Sequence, residues 1–416
     1  MEFPRMVRVK QSFDAKSLSD PVQEARLAVL ESALATEGCL NRRIAVTAGS
    51  RGIHCIAEIT RAVVEAIREL GGDPFVLPAM GSHGGGTAAG QLEILASYGI
   101  TEDSVGAPVE ATMDVVQVGE VDNHIPVVLN RLALESDGIV LVNRIKPHTA
   151  FRGPFESGLM KMMTIGLGSR KGATLAHSMG ASGLPRMIPA WGRIILQEAP
   201  ILLGLALLEN AYEKTAKVVA LAPAEFESQE PRLLEQARDL MPGLPIQRLD
   251  VLIVDQIGKN ISGTGMDPNI IGRIWLPGIK EPDSPAVNRI VVLNLTEETH
   301  GNANGIGLAD ITTRRLVDQV DYKATYANAL TTTFLNRAYI PVVAESDKEA
   351  IEIALDVLRT DLPQKARLMR IKSTLELEHL WASESLVSEL KELDDVTVLG
   401  ASEHMPFDDS GMLKEM

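Results

Sequence analysis

Short apolar runs alternate with amphipathic runs through the first half of the chain, and this alternation constrains the fold most strongly. Arg43–Thr47, Pro74–Pro78 and Gly138–Val142 have the length and composition of strands. The last of these (GIVLV) is too apolar for a half-exposed strand, so we place it in the middle of a sheet. Ile56–Leu70 and Thr87–Tyr98 are predicted helices because their apolar residues recur at helical spacing. This β-α-β alternation predicts a mostly parallel sheet covered by helices.

The second half of the chain repeats this character after a polar, proline-containing stretch, and we place the domain boundary at about residue 247. We predict an α/β protein with an N-terminal α/β domain over 1–247 and a C-terminal α/β domain over 248–416. Because small-molecule sites are common between domains, we also expect an interdomain cleft. The predicted elements of the second half are the strands Val251–Val254, Val291–Leu293 and Ile340–Val343 and the helix Lys348–Leu358.

Composition excludes several classes of protein. With a net charge of −15, the chain is a poor candidate for general nucleic-acid or anionic-membrane binding. Two cysteines cannot form a disulfide framework. Met1–Asp20 lacks an apolar core of signal-peptide length, and the longest apolar stretch, Ile201–Leu208, is shorter than the roughly 20 residues that span a bilayer. We therefore expect a cytoplasmic protein with no nucleic-acid or membrane partner, and a homo-oligomer is compatible with the sequence.

Two glycine-containing segments follow predicted strands and precede predicted helices. In Ala48–Gly52 (AGSRG), free N–H groups at the helix start and the Arg51 guanidinium would bind a carboxylate or phosphate; the alternative is a tight turn with a surface arginine. In Met80–Thr87 (MGSHGGGT), glycines allow close backbone approach to a ligand, and His83 lies where open α/β sheets bind ligands. The alternative there is a flexible loop with a hydrogen-bonded histidine.

A third segment, Asn143–Ser178, begins at the end of the most apolar strand. Lys161 lies within the apolar sequence LMKMM, so it is either a snorkelling side chain or a desolvated, reactive amine. The fourth segment, Asp255–Arg273, is a polar, glycine-rich stretch suited to substrate or cofactor contacts, or else a capped turn. The chemistry-bearing residues of the two segments are His148, Arg152, Glu156, Lys161 and His177, and Lys259, Asn260, Asp267 and Asn269.

The sequences MGSHGG, NRIKPHT and ESGLMKM, in this order, resemble the lactate racemase family, whose members use a nickel-pincer nucleotide. The likeness covers most of residues 40–345 and is closer to a divergent branch than to lactate racemase proper. It rests on the order of His83, His148, Lys161 and His177, and on the 16 residues that separate the last two.

The resemblance implies a role for each matching residue. Lys161 would hold the cofactor covalently, and His177 would be a nickel ligand beside the donors of the pincer. His83 and His148 would be the two acid/base groups. Arg51 would lie near the substrate carboxylate, and these roles would make 1–247 the catalytic and cofactor-binding domain. Lys259 is predicted as a further substrate-binding residue because it lies in the polar segment Asp255–Arg273. The residues that would line the cofactor are Ser50, Gly84, Gly85 and Ser157, with Gly49 nearby.

The chain departs from lactate racemase proper at three places. Ala48 replaces an aspartate, Gly84 replaces an arginine, and the interval from His148 to Lys161 is longer. These changes make lactate itself a doubtful substrate while keeping the four chemical residues.

The expected activity is that of an isomerase, a racemase or epimerase of a 2-hydroxy acid that uses the nickel-pincer nucleotide. The resemblance implies reversible hydride transfer, with histidines as acid and base because their pKa lies near neutral. The expected partners are a small hydroxy-acid substrate and the cofactor-synthesis enzymes. The alternatives are an oxidoreductase with the same cofactor, and a phosphate- or nucleotide-binding protein whose histidines are structural.

Overall fold

A computed structural model describes residues 2–122, 124–359 and 362–414 of the chain. The chain divides into two compact units. Unit A comprises Asp14–Met241, and unit B comprises Pro242–Met416 together with Met1–Phe13. Each unit is built around its own sheet.

The strands of the described residues are numbered in chain order. They are β1 Met6–Gln11, β2 Arg43–Ala48, β3 Asp73–Pro78, β4 Val115–Val121, β5 Ile125–Asn130, β6 Gly138–Arg144, β7 Ile201–Glu209, β8 Thr215–Leu221, β9 Arg248–Ile257, β10 Ala286–Leu295, β11 Ile311–Thr313, β12 Val342–Ala344, β13 Leu368–Ile371, β14 His379–Ser383 and β15 Val396–Glu403.

The α-helices of the described residues include several of a single turn, and a π-helix, Met162–Gly166, follows α7 directly. They are α1 Pro21–Leu30, α2 Ala33–Glu37, α3 Ile56–Glu69, α4 Ala88–Ser97, α5 Glu102–Val105, α6 Arg131–Leu134, α7 Leu159–Lys161, α8 Ser169–Ser178, α9 Gly180–Glu198, α10 Phe226–Asp239, α11 Pro268–Ile271, α12 Arg314–Val317, α13 Tyr322–Thr332, α14 Asp347–Asp356 and α15 Val387–Leu390.

Unit A contains a five-stranded sheet in the order β3-β2-β6-β7-β8. The first four strands are parallel, and only β8 is antiparallel to its neighbour. The strand β6 lies at the centre, and its first five residues are all buried, as its continuous apolar sequence predicts. The neighbours β2 and β3 pair in register from Arg43 opposite Asp73 to Ala48 opposite Pro78.

Helix packing in unit A follows the apolar spacing of the sequence. In α3, Ile56, Ile59, Val63 and Ile67 are buried against the sheet, because residues three and four apart lie on one helix face. The hairpin β4–β5 forms a separate two-stranded sheet.

Unit B contains an eight-stranded sheet in the order β12-β11-β10-β9-β13-β14-β1-β15. The strands β12, β11, β10, β9 and β13 run parallel to one another. The pairs β13–β14, β14–β1 and β1–β15 are antiparallel. The strand β1 comes from the start of the chain and pairs with β14 and β15.

The predicted α/β class with mostly parallel sheets is confirmed. The contact division falls between Met241 and Pro242 and assigns residues 1–13 to unit B. The ranges 1–247 and 248–416 as functional domains, and the interdomain cleft, stay predictions. Within the described parts of the chain, no helix is both long enough and apolar enough to cross a membrane.

Candidate active site

The site in unit A lies where three neighbouring strands end. The segments that follow β2, β3 and β6 carry Arg51, His83 and His148, respectively. Because these three strands are adjacent and parallel, their carboxyl ends lie at one edge of the sheet, the usual ligand site of open α/β sheets.

The segment after β2 does not begin a helix, contrary to the expectation for Arg51. The helix α3 starts at Ile56, after Cys55 in left-handed conformation with φ 55°. The N–H groups of the first turn of α3 therefore come from residues beyond the segment. Arg51 has an exposed side chain, yet surrounding protein lowers the pKa of its guanidinium by desolvation, and the charge of Arg144 lowers that pKa further.

Ser50 joins the segments after β2 and β3. Its hydroxyl is hydrogen-bonded to Nδ1 of His83, and its backbone carbonyl accepts a hydrogen bond of 3.2 Å from the Tyr98 hydroxyl. The His83 side chain is exposed. A serine hydroxyl both donates and accepts, so His83 keeps this contact in either neutral tautomer.

The glycines beside His83 are required by the shape of their loop. Gly84, Gly85 and Gly86 all have φ near +65°, the left-handed region that favours glycine. A Cβ atom on Gly84 would lie 2.4 Å from the backbone carbon of Gly90, whereas one on Gly85 would meet nothing within 4 Å. The backbone of Gly84 therefore packs directly on α4, and Gly85 remains exposed.

The loop after β6 is closed and anchored by a buried carboxylate. The backbones of Lys146 and Ser157 exchange two hydrogen bonds of 2.9 and 3.1 Å. Inside the loop, Glu156 is 1% exposed and accepts hydrogen bonds from the His148 N–H at 2.7 Å and from the Arg238 guanidinium at 2.7 Å. The half-buried Ser157 is thus placed next to this anchor.

The His148 ring has a fixed orientation within this loop. Its Nδ1 accepts a hydrogen bond of 3.1 Å from the Ala150 N–H, so the neutral ring carries its proton on Nε2. The ring also packs against buried Phe151, with centroids 4.3 Å apart. The Lys161 amine lies 5.6 Å from the centroid of the same phenylalanine ring. Phe151 is therefore a neighbour of both His148 and Lys161.

Lys161 is a half-buried amine with a strongly perturbed pKa. Desolvation lowers the pKa of Lys161 to about 7, and the nearby Arg51 charge acts in the same direction while Glu156 opposes it. At neutral pH, a large fraction of the amine is therefore uncharged and nucleophilic.

His177, in the last turn of α8, belongs to the same electrostatic cluster. Burial lowers the pKa of its imidazole, and the charge of Lys161 lowers that pKa further. Its Nδ1 atom is buried without a hydrogen-bond partner. An unpaired buried nitrogen is costly unless something binds it, and neutral imidazole is a good ligand for nickel.

No group of three or more His, Cys, Asp or Glu residues in the described chain is arranged to hold a metal ion. A metal at His177 would thus need donors from a bound group.

The remaining predicted residue, Lys259, lies in unit B after β9. Its N–H donates to the Thr299 hydroxyl at 3.0 Å, and its amine donates to the Gly263 carbonyl at 2.6 Å. Glu230, on α10, contacts the segment that carries Lys161, and we did not predict it from the sequence. Its only sequence signal is its position among the apolar residues of one helix face, Phe226, Leu233, Leu234 and Ala237.

Unit A is therefore an α/β domain with a candidate small-molecule site at the carboxyl ends of its parallel strands. Residues 15–186 match the family model of the lactate racemase N-terminal domain. This match confirms the predicted resemblance to the lactate racemase family over this part of the chain.

One solved structure of similar fold is the lactate racemase apoprotein from Thermoanaerobacterium thermosaccharolyticum. The TM-score is 0.55 at 13% sequence identity, and the alignment covers 89% of this chain and 99% of that chain. At this identity the likeness concerns the fold alone. No curated protein sequence matches the chain.

Proposed function

We propose that this chain is an isomerase, a racemase or epimerase of a 2-hydroxy acid that works with a nickel-pincer nucleotide. One observation carries the proposal. A half-buried lysine with a pKa of about 7 acts electrostatically on a histidine whose buried Nδ1 has no partner, inside a lactate racemase N-terminal domain. Covalent attachment requires a neutral amine, and a metal requires a free imidazole nitrogen, so Lys161 and His177 fit the cofactor.

When bound, the cofactor would supply a reversible acceptor for the hydrogen, with its electron pair, on the hydroxyl-bearing carbon. Lys161 would hold it covalently, and His177 would complete the donors around nickel. The loop residues Ser50, Gly84, Gly85 and Ser157 would line it, because all four lie in the segments that converge at this sheet edge.

His83 and His148 would move the proton of the substrate hydroxyl, one from each side. In neutral His148 the proton is on Nε2, because Nδ1 accepts the Ala150 N–H, so His148 would take up a proton only when that contact opens and frees the Nδ1 lone pair. His83 would accept or donate a proton while it keeps its contact with Ser50. Positioned acid/base groups of this kind each contribute on the order of 10²–10⁴-fold to the rate.

The substrate would be an anion. The Arg51 guanidinium lies near the Lys161 amine, since its charge lowers the pKa of that amine, so Arg51 would keep a positive charge beside the cofactor after Lys161 is attached. Because guanidinium binds a carboxylate through two hydrogen bonds, Arg51 would orient the acid group. Lys259 would be a second substrate-binding residue.

A panel of enantiopure 2-hydroxy acids tests this function on protein produced with the cofactor-synthesis enzymes. We expect loss of optical purity, or inversion at one carbon of a sugar acid, without net oxidation. Accumulation of the keto acid would identify the oxidoreductase alternative. Binding of inorganic phosphate, with no nickel and no turnover, would identify the phosphate-binding alternative.

A further inference from the structure

The helix α10 carries one acidic residue into the core of unit A. Glu230 is 1% exposed and lies on the face formed by Phe226, Leu233 and Leu234. A buried carboxyl group without a paired charge is expensive unless its oxygens accept hydrogen bonds. Burial raises the pKa of Glu230 to about 8, so the group is mostly uncharged at neutral pH.

The hydrogen bonds of Glu230 go to the backbone that carries Lys161. One carboxyl oxygen accepts the N–H of Met160 at 3.0 Å, and the N–H of Leu159 also bonds to the carboxyl group. These are donors at the start of the short helix α7, which ends at Lys161. The first N–H groups of a helix have no partner within it, so Glu230 satisfies donors that would otherwise be buried and unpaired.

Gly158 provides independent evidence that the Glu230 carboxyl group packs closely against the start of α7. Its φ is 173°, an extended conformation that any residue adopts, so the backbone does not require glycine there. The available space requires glycine there, because a Cβ atom at residue 158 would lie 2.2 Å from the second carboxyl oxygen of Glu230. That oxygen is buried without a hydrogen-bond partner, so close packing against Gly158 holds the carboxyl group in place.

The segment that follows Lys161 is irregular and depends on such external supports. It continues as the π-helix Met162–Gly166, and the Thr164 hydroxyl donates to the Met160 carbonyl at 3.0 Å. The Gly158 carbonyl accepts from the Asn143 side chain at 2.8 Å, which ties the start of α7 to β6. π-Helical turns are rare and are often found at functional sites.

We propose that Glu230 is a positioning residue that fixes the turn Gly158–Lys161 and so directs the Lys161 amine into the site. The importance of this positioning for catalysis rests on the proposed function. The positioning itself can be measured without cofactor, because the Lys161 amine is present in the cofactor-free chain.

The test uses the full chain without cofactor and compares the acylation rates of Lys161 and exposed Lys171 by peptide mass spectrometry at pH 7. The variants are Glu230→Ala, Glu230→Gln and, as the matched control on the exposed face of α10, Glu235→Ala. We expect Glu230→Ala to lower the Lys161-to-Lys171 rate ratio at least about fivefold, because a loosened turn exposes the amine to water and favours its protonated form. Glu230→Gln keeps an acceptor oxygen and should retain the ratio within about twofold, as should Glu235→Ala.

A structural role alone would lower the unfolding temperature of Glu230→Ala and leave the ratio unchanged, and that result would overturn the proposal. Equal losses in Glu230→Gln and Glu230→Ala would also overturn it. If Glu230→Ala does not fold, Gly158→Ala decides, because its Cβ displaces the carboxyl group and should lower the ratio, whereas an unchanged ratio refutes the positioning role. If Glu230→Ala lowers the Lys161-to-Lys171 ratio but the unaltered chain gains no nickel when produced with the cofactor-synthesis enzymes, the proposed function fails and the positioning role of Glu230 stands.

Discussion

Arg51 is the residue proposed to bind the acid group of the substrate. Replacing it with lysine keeps a positive charge but removes the planar pair of donors that grips a carboxylate. We expect Arg51→Lys to raise KM about tenfold with little change in kcat, since a lost bidentate contact costs on the order of 1–2 kcal/mol. Arg186→Lys is the control, because Arg186 is a surface residue of the same unit. Steady-state kinetics in which the two variants behave alike would remove Arg51 from the site.

The two histidines after the strand ends, His83 and His148, are proposed to move the proton of the substrate hydroxyl. His83→Ala and His148→Ala should each lower kcat by about 10²–10⁴-fold while circular dichroism stays unchanged. The control is His379→Ala, because His379 is exposed on β14. Near-native turnover in both variants would show that the two-base scheme is wrong.

The acid–base behaviour of Lys161 follows from its surroundings. Its pKa is about 7, well below the ordinary value of 10.5, so the amine becomes neutral as the pH rises through 7. The acylation rate of Lys161 in the cofactor-free chain should therefore reach half its maximum near pH 7. In Arg51→Ala, that midpoint should move upward, because one of the charges that disfavour the ammonium form is gone. A midpoint above pH 9 in the unaltered chain would contradict the buried, reactive lysine.

At the scale of secondary-structure elements, apolar patterning predicts much of the fold. The predicted strands over 43–47 and 74–78 are confirmed as β2 and β3, and the predicted helix over 56–70 is confirmed as α3, because their signals lie within the segments themselves. The pairing of β1 with β14 and β15 was not predicted, since no local pattern specifies partners at the other end of the chain. Arg51 was placed at a helix start because sequence does not show how long a connecting turn is.

The glycine loop after β3 permits a test with a built-in comparison. Gly84 and Gly85 have nearly the same φ, so alanine at either position bears the left-handed backbone cost of roughly 1–2 kcal/mol. Only at Gly84 does the new Cβ also collide with backbone, 2.4 Å from the Gly90 carbon. We expect Gly84→Ala to lower the free energy of unfolding clearly more than Gly85→Ala in denaturant titrations. Equal losses would show that the loop does not pack on α4 as described.

At the scale of the whole molecule, the sequence predicts the candidate chemical residues but not the residues that pack around them. The order of His83, His148, Lys161 and His177 can be read from the sequence directly, because it needs only residue types and their spacing. Phe151 and Glu230 carry no such signal, since a phenylalanine is an ordinary core residue and a glutamate an ordinary helix residue. The contact of Glu230 with the Lys161 turn depends on tertiary packing, and the contact of Phe151 with His148 depends on the shape of the loop after β6.

The central claim is that Lys161 and His177 together hold a nickel-pincer nucleotide. The most direct measurement is peptide mass spectrometry with metal analysis on protein produced with and without the cofactor-synthesis enzymes. We expect a covalent mass increase on the peptide containing Lys161 and one nickel per chain only when those enzymes are present. The nickel, but not the mass increase, should be lost in His177→Ala. An unmodified Lys161, in a host that loads a lactate racemase produced in parallel, would contradict the account.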